Sequence, residues 1–189
     1  MSKPVLGWEV FAELRAEQQR LMERCSALEE QNATLTTLYV ACQRLHSSLE
    51  RADVLLMVRE IIANLCGCEQ YVLFTLGTDG EMHQADSFGL DLAFCERLWA
   101  GRGLIGRAVE TGETYVSGQS DGFEAAEGEA DLTACIPLKR NGTVTGAIAL
   151  FRLLPQKVEL VELDRELFRL LETHLAIALY SAELHGAAA

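Results

Sequence analysis

Leucine returns at every seventh position through the first part of this chain, at Leu14, Leu21, Leu28 and Leu35. Glu, Gln, Arg and Ala fill the gaps and favour helix, so the spacing predicts one long helix with a narrow apolar stripe. With those leucines at heptad position d, position a holds Phe11, Gln18, Cys25, Asn32 and Tyr39. Leucine at d with polar residues at some a positions is the pattern of a two-stranded coiled coil, where Asn sets register at a cost in stability. A parallel pairing puts Arg24 opposite Glu29 of the second copy. An exposed pair of this kind contributes only about 0.2–1 kcal/mol, so it favours the parallel form without deciding it. The competing reading is an amphipathic helix folded onto its own domain. Gln18 and Asn32 argue against that, because polar side chains suit a coiled-coil seam better than a dry core. Beyond Leu35 the stripe widens to Leu38, Tyr39, Cys42, Leu45 and Leu49, as if a second surface were met, and His46-Ser47-Ser48 is expected to end or bend the helix.

A second helix is predicted over 51–65, apolar at 54, 55, 58, 61, 62 and 65, with Gly67 as its stop. Residues 71–76 and 81–88 read as a hairpin about Thr78-Asp79-Gly80, and 133–138 and 143–151 as a second about Asn141-Gly142. Short helices are expected at 92–99 and 101–111, a short strand at 114–117, and a long helix over 159–184. Two hairpins with helices before, between and after them imply an α+β fold, an antiparallel sheet with helices packed on it. The connections are too short for parallel crossovers. The predicted organisation is a coiled-coil helix over 1–46, a globular domain over 47–185 and a disordered tail at 186–189.

Composition narrows the functional classes. The chain has 189 residues, 49% of them hydrophobic, which is enough for a core without disulfides. Its net charge of −12 argues against nucleic acid and against anionic lipid. No apolar run approaches the roughly 18 residues of a membrane span, and the N-terminus turns charged too early for a secretory signal. A cytoplasmic protein is expected. The six cysteines, 25, 42, 66, 68, 95 and 135, fall mostly among apolar neighbours, as reduced core thiols do. Cys66-Gly-Cys68 without a second pair or a nearby His is weak as a zinc half-site.

Several motifs tempt. Gly101-x-Gly103-x-x-Gly106 has the spelling of a dinucleotide fingerprint, but it follows a predicted helix rather than a buried strand. The blander reading is that its glycines let a short helix start tightly against the sheet. His46, His83, His174 and His185 show no metal-ligand spacing among themselves, and His174 is read as a hydrogen-bonded packing residue. No Ser-His-Asp or Cys-His arrangement is apparent, so no catalytic residue, metal or cofactor is expected.

Taken together, Ser47-Ser48-Leu49, GRGLIGRAVETGE at 101–113, IPL at 136–138, GAIAL at 146–150 and the final helix with His174 and LAIAL at 175–179 resemble the GAF domain family. The resemblance implies a six-stranded antiparallel sheet with a ligand pocket on one face, near which Phe74, Phe88, Trp99, Tyr115 and Cys135 would lie. It also implies a layer formed by the first and last helices, often dimeric, entered by a signalling helix. Departures are informative. The segment 118–132, GQSDGFEAAEGEADL, holds five carboxylates and little apolar content, as if the lid of ligand-binding relatives were reduced to an acidic, mobile loop. The signature of the cyclic-nucleotide branch, the bilin-binding arrangement and the paired loop cysteines of the methionine-sulfoxide-reducing branch are not found.

The expected function is a non-enzymatic, homodimeric signalling regulator that binds a protein partner, in a bacterial two-component or motility system by family analogy. Its dimer would rest on Phe11, Leu14, Leu21, Cys25, Leu28, Asn32 and Leu35, and its output would pass to another protein. The alternatives are a metabolite- or nucleotide-sensing domain, and a thiol-based redox sensor using Cys66, Cys68 or Cys135.

Overall fold

The computed structural model describes residues 6–77, 80–91, 103–118, 125–157 and 159–188. The chain divides into two compact units, Met1–Val40 and Ala41–Ala189. The first belongs to helix α1, Leu6–Leu45. Along it Leu14, Leu21, Leu28 and Leu35 are 52–64% exposed, and Trp8 and Phe11 more so. Within this unit Thr36 and Thr37 donate their hydroxyls back to the carbonyls of Asn32 and Ala33, so both hydroxyls find acceptors on the helix's own backbone. The helix ends where the sequence places its stop. Ser47 donates through both its amide and its hydroxyl to the Arg44 carbonyl, meeting an acceptor the helix leaves open.

In the second unit α2 spans Arg51–Ile61 and passes into a π-helical turn, Ile62–Cys66, before Gly67 adopts a left-handed conformation. The sequence reading of one α-helix through 65 is thus right to its eleventh residue. Strands β1 (Cys68–Leu76) and β2 (Met82–Phe88) follow, then α3 (Leu104–Thr111), β3 (Tyr115–Val116), β4 (Ala134–Arg140), β5 (Thr143–Leu153) and α4 (Glu162–Ala188). The helix expected at 92–99 lies outside the described residues. Residues 186–188, assigned to a disordered tail on the sequence, continue α4.

The described strands form one five-stranded sheet in the order β2-β1-β5-β4-β3, with antiparallel pairing throughout. Its β4–β5 hairpin turns through Asn141 and Gly142, with φ of 52° and 80°, the left-handed pair that a two-residue hairpin demands. Alternation along the strands sorts the core into two layers. Val72, Phe74, Cys135, Ala147, Ala149 and Phe151 form one cluster with Leu104, Ile105 and Ala108 of α3. Tyr71, Leu73, Ile136, Ile148 and Leu150, also buried, occupy the alternate positions and so face the other way. On that side α4 packs on β4 and α2 packs on α4, with Lys139 and Glu172 paired at 2.6 Å.

One irregularity decides where β2 sends its side chains. Register changes between Leu73 and Phe74, so Phe74 pairs with Gln84 while Tyr71 pairs with Phe88. A one-residue slip inverts the parity of the strand. Met82 therefore joins the α3-side cluster, whereas Phe88 stacks by Tyr71 at 6.4 Å and beneath the Arg59 guanidinium at 5.2 Å. Asp86 holds this corner, accepting from the Tyr71 hydroxyl at 2.5 Å and from Arg59 at 3.1 Å.

Candidate functional site

The α3 side of the sheet is the natural place to seek a ligand, and one buried carboxylate dominates it. Helix α3 begins after Gly103, whose φ of +94° and ψ of −154° suit only glycine. The free N–H groups of its first turn need acceptors. Glu129 supplies them from the far side of the acidic segment. Its Oε2 accepts from the Leu104 N–H at 2.7 Å and from the Ala126 N–H at 2.8 Å, and its Oε1 accepts from the Ile105 N–H at 2.9 Å. A negative charge at a helix N-terminus is also favoured by the helix dipole. Glu129 is only 2% exposed, and Leu132 beside it is buried too. The described part of the segment is therefore packed, and at least one of its five carboxylates is a structural anchor rather than a solvated charge. A Cβ on Gly103 would sit 2.1 Å from Oε2, so the glycine spelling serves this contact.

Of the five residues expected near a pocket, Phe74 and Cys135 lie in the α3-side cluster and Tyr115 packs against it. Phe88 stands on the opposite face for the register reason given above. Trp99 lies outside the described residues. The space beside Leu104, Ala108 and Tyr115 amounts to about 40 Å³, well short of the roughly 300 Å³ at which small-molecule sites begin. A larger cleft of about 530 Å³ opens past the ends of β3 and β5. Arg152, Lys157 and Arg165 line it together with Asp131 and Glu159. Lys157 is already bound to Asp164, at 2.5 Å, while the second oxygen of Asp164 accepts from the Val161 N–H at the start of α4.

A third grouping joins the end of α1 to α4. The Cys42 thiol lies 3.5 Å from His174 Nδ1, and His46 Nε2 lies 3.1 Å from the same nitrogen. Burial, and then the neighbouring His174, hold the His46 imidazolium below its usual range. The sequence carries half of this signal, since Cys42 and His46 stand one helical turn apart. His174 could be added only by the fold.

The sequence profile of the GAF domain family matches residues 48–179, more than half of the chain. The chain belongs to the GAF domain family. Similar solved structures agree on the fold. The GAF domain of a phosphoenolpyruvate-protein phosphotransferase from Coxiella burnetii is 23% identical at a TM-score of 0.61, over 82% of this chain and 96% of that one. Free methionine-R-sulfoxide reductase from Neisseria meningitidis, solved with its substrate, is 17% identical at 0.59, over 80% and 91%. Part of a methyl-accepting chemotaxis protein is 15% identical at 0.54, over 76% and 97%. No curated protein matches the sequence.

Cys66, Cys68 and Cys135 do not sit where thiolates form readily. Burial pushes the Cys135 thiol well up, and the Glu129 carboxylate adds to it. Cys66 is raised by burial and then by the charges of Asp164 and Cys68. Cys68 is raised chiefly by burial. Since the thiolate is the reactive form, brief native treatment with iodoacetamide is expected to leave Cys66 and Cys135, both buried, unmodified until guanidinium is added. Peptide mass spectrometry checks this, and rapid native labelling of Cys135 would contradict it.

Proposed function

We propose that this GAF domain protein is a non-enzymatic cytoplasmic signalling regulator that pairs with a second copy through α1 and passes its output to a protein partner. The observation that carries the reading is the leucine stripe left open to solvent along a forty-residue helix. A contiguous apolar strip of that length is rare on a lone chain and marks an interaction surface. Its heptad spacing, with Asn32 at an a position, suits a two-stranded coil. The outward side of α4 adds Ile177, Tyr180 and Leu184, also exposed, as further apolar surface for an assembly. On the α3 side Glu129 takes the helix N-terminus that an anionic ligand would use, which supports binding of a protein over sensing of a metabolite there.

Equilibrium sedimentation at micromolar concentration tests the first half, with the mass of two chains expected and that of one chain removing the reading. Affinity capture with the full-length chain tests the second. Loss of the captured partner on breaking the coil would assign it to the dimer.

Small-molecule sensing is a second reading, and the 530 Å³ cleft favours it. With Arg152 and Arg165 on its wall, it suits a small anion bearing a carboxylate or phosphate. A thermal-shift screen of anionic metabolites would then show a rise that Arg152→Ala abolishes. No rise at millimolar concentrations would discard it.

A further inference from the structure

We propose that Cys42, His46 and His174 form a binding site for one divalent cation of the zinc class. One donor atom from each of the three residues lies within 4.8 Å of the other two. Two of the distances are close to those a cation would impose. Tetrahedral zinc, bonded at about 2.3 Å to sulfur and about 2.0–2.1 Å to nitrogen, separates S from N by about 3.6 Å and N from N by about 3.3 Å. Here the separations are 3.5 and 3.1 Å.

Local structure explains how the ligands meet. The His46 N–H donates to the Cys42 carbonyl at 3.3 Å, so helical geometry persists through His46 and sets both side chains on one side of the last turn. His174 comes from α4, with its ring at 74° to that of His46 and the centroids 5.4 Å apart. The rings are thus edge to face rather than stacked, and each can turn a nitrogen lone pair toward a shared point.

Hydrogen bonding alone accounts poorly for the cluster. An imidazole nitrogen has a single in-plane lone pair or a single proton, yet both Cys42 and His46 converge on His174 Nδ1. One partner must then be left with a weak contact. A cation at the centre takes one lone pair from each of the three. A thiolate with two imidazoles is a borderline-to-soft set, which selects zinc, cobalt or copper over magnesium and calcium. His46 is exposed while Cys42 and His174 are half-buried. The cation would have a way in and a fourth position open to water. Bound there, it would tie the last turn of α1 to α4.

The test is titration of untagged, metal-stripped full-length protein with Co²⁺ and with Zn²⁺. One Co²⁺ per chain is expected, giving the intense visible bands of tetrahedral cobalt and a near-ultraviolet sulfur-to-cobalt band, both abolished by a stoichiometric amount of Zn²⁺ and unaffected by millimolar Mg²⁺. Cys42→Ser should remove the sulfur band, and His46→Gln should weaken affinity at least tenfold. Because His46 is exposed, its variant should fold, and a melting temperature like that of the metal-free wild type verifies this. Zn²⁺ should raise the melting temperature of the wild type and not that of His46→Gln. Failure to bind Zn²⁺ at micromolar concentration would overturn the site. So would binding left unchanged by both substitutions, which would place the metal elsewhere.

Discussion

Leu21→Glu together with Leu28→Glu is expected to leave single chains where the wild type sediments as a pair. In a two-stranded coil each d-position leucine is buried against its twin. Truncating one buried leucine costs about 2–5 kcal/mol, and the two-fold repeats every loss. Four such positions per dimer, now carrying like charges, weaken association by a factor on the order of a thousand or more. The globular unit should keep its fold, since Leu21 and Leu28 are exposed in the single chain. Circular dichroism of the β-sheet and a cooperative melt would verify that. Sedimentation velocity across nanomolar to micromolar concentrations is the measurement. An unchanged two-chain mass in the double variant would show that α1 is not the pairing surface, and would move attention to Ile177, Tyr180 and Leu184 on α4.

Removing the Glu129 carboxylate is expected to have the largest effect on the globular unit. Glu129→Ala strips the acceptor from three N–H groups, those of Leu104, Ile105 and Ala126. Each unmet buried donor costs about 1–3 kcal/mol, and water entering the vacated space will relieve part of that. A net loss of about 3 kcal/mol would lower the melting temperature by about 6–12 °C for a domain of this size. Glu129→Gln keeps the volume but turns an amide NH₂ toward donors, so its loss should be smaller yet clear. Gly103→Ala attacks the same contact from the other side, through its clash with Oε2 and its positive φ. The two substitutions should therefore be less than additive, as neighbours sharing one interaction are. A melting temperature for Glu129→Ala within about 2 °C of the wild type would remove the anchor role.

Local chemistry made much of the fold legible. Asn141-Gly142 announces its hairpin because few other residue pairs adopt two left-handed conformations in a row. His46-Ser47-Ser48 ends α1 because serine competes for helix carbonyls within its own turn. The leucine period was visible because helix periodicity is a property of neighbours along the chain. Phe88 shows where such reasoning stops. Phe74 and Phe88 both occupy even positions in one hairpin, so simple alternation would place them on one face. A single register slip between Leu73 and Phe74 puts them on opposite faces, and nothing local to either residue records it.

The acidic segment shows the same limit. Its composition reads as solvated loop, and five carboxylates in fifteen residues look alike on paper. The need lies elsewhere, in the unpaired N–H groups at the start of α3, and only the path of the chain brings Glu129 to them. His174 stands 128 residues from His46 in sequence and 3.1 Å from it in space. Helix length, turns, strand identity and the apolar stripe of α1 follow from forces acting over a few residues, and these the order of amino acids settles directly. Which carboxylate turns inward, which face receives Phe88 and which ring meets Cys42 depend on partners far along the chain, and packing alone brings those together.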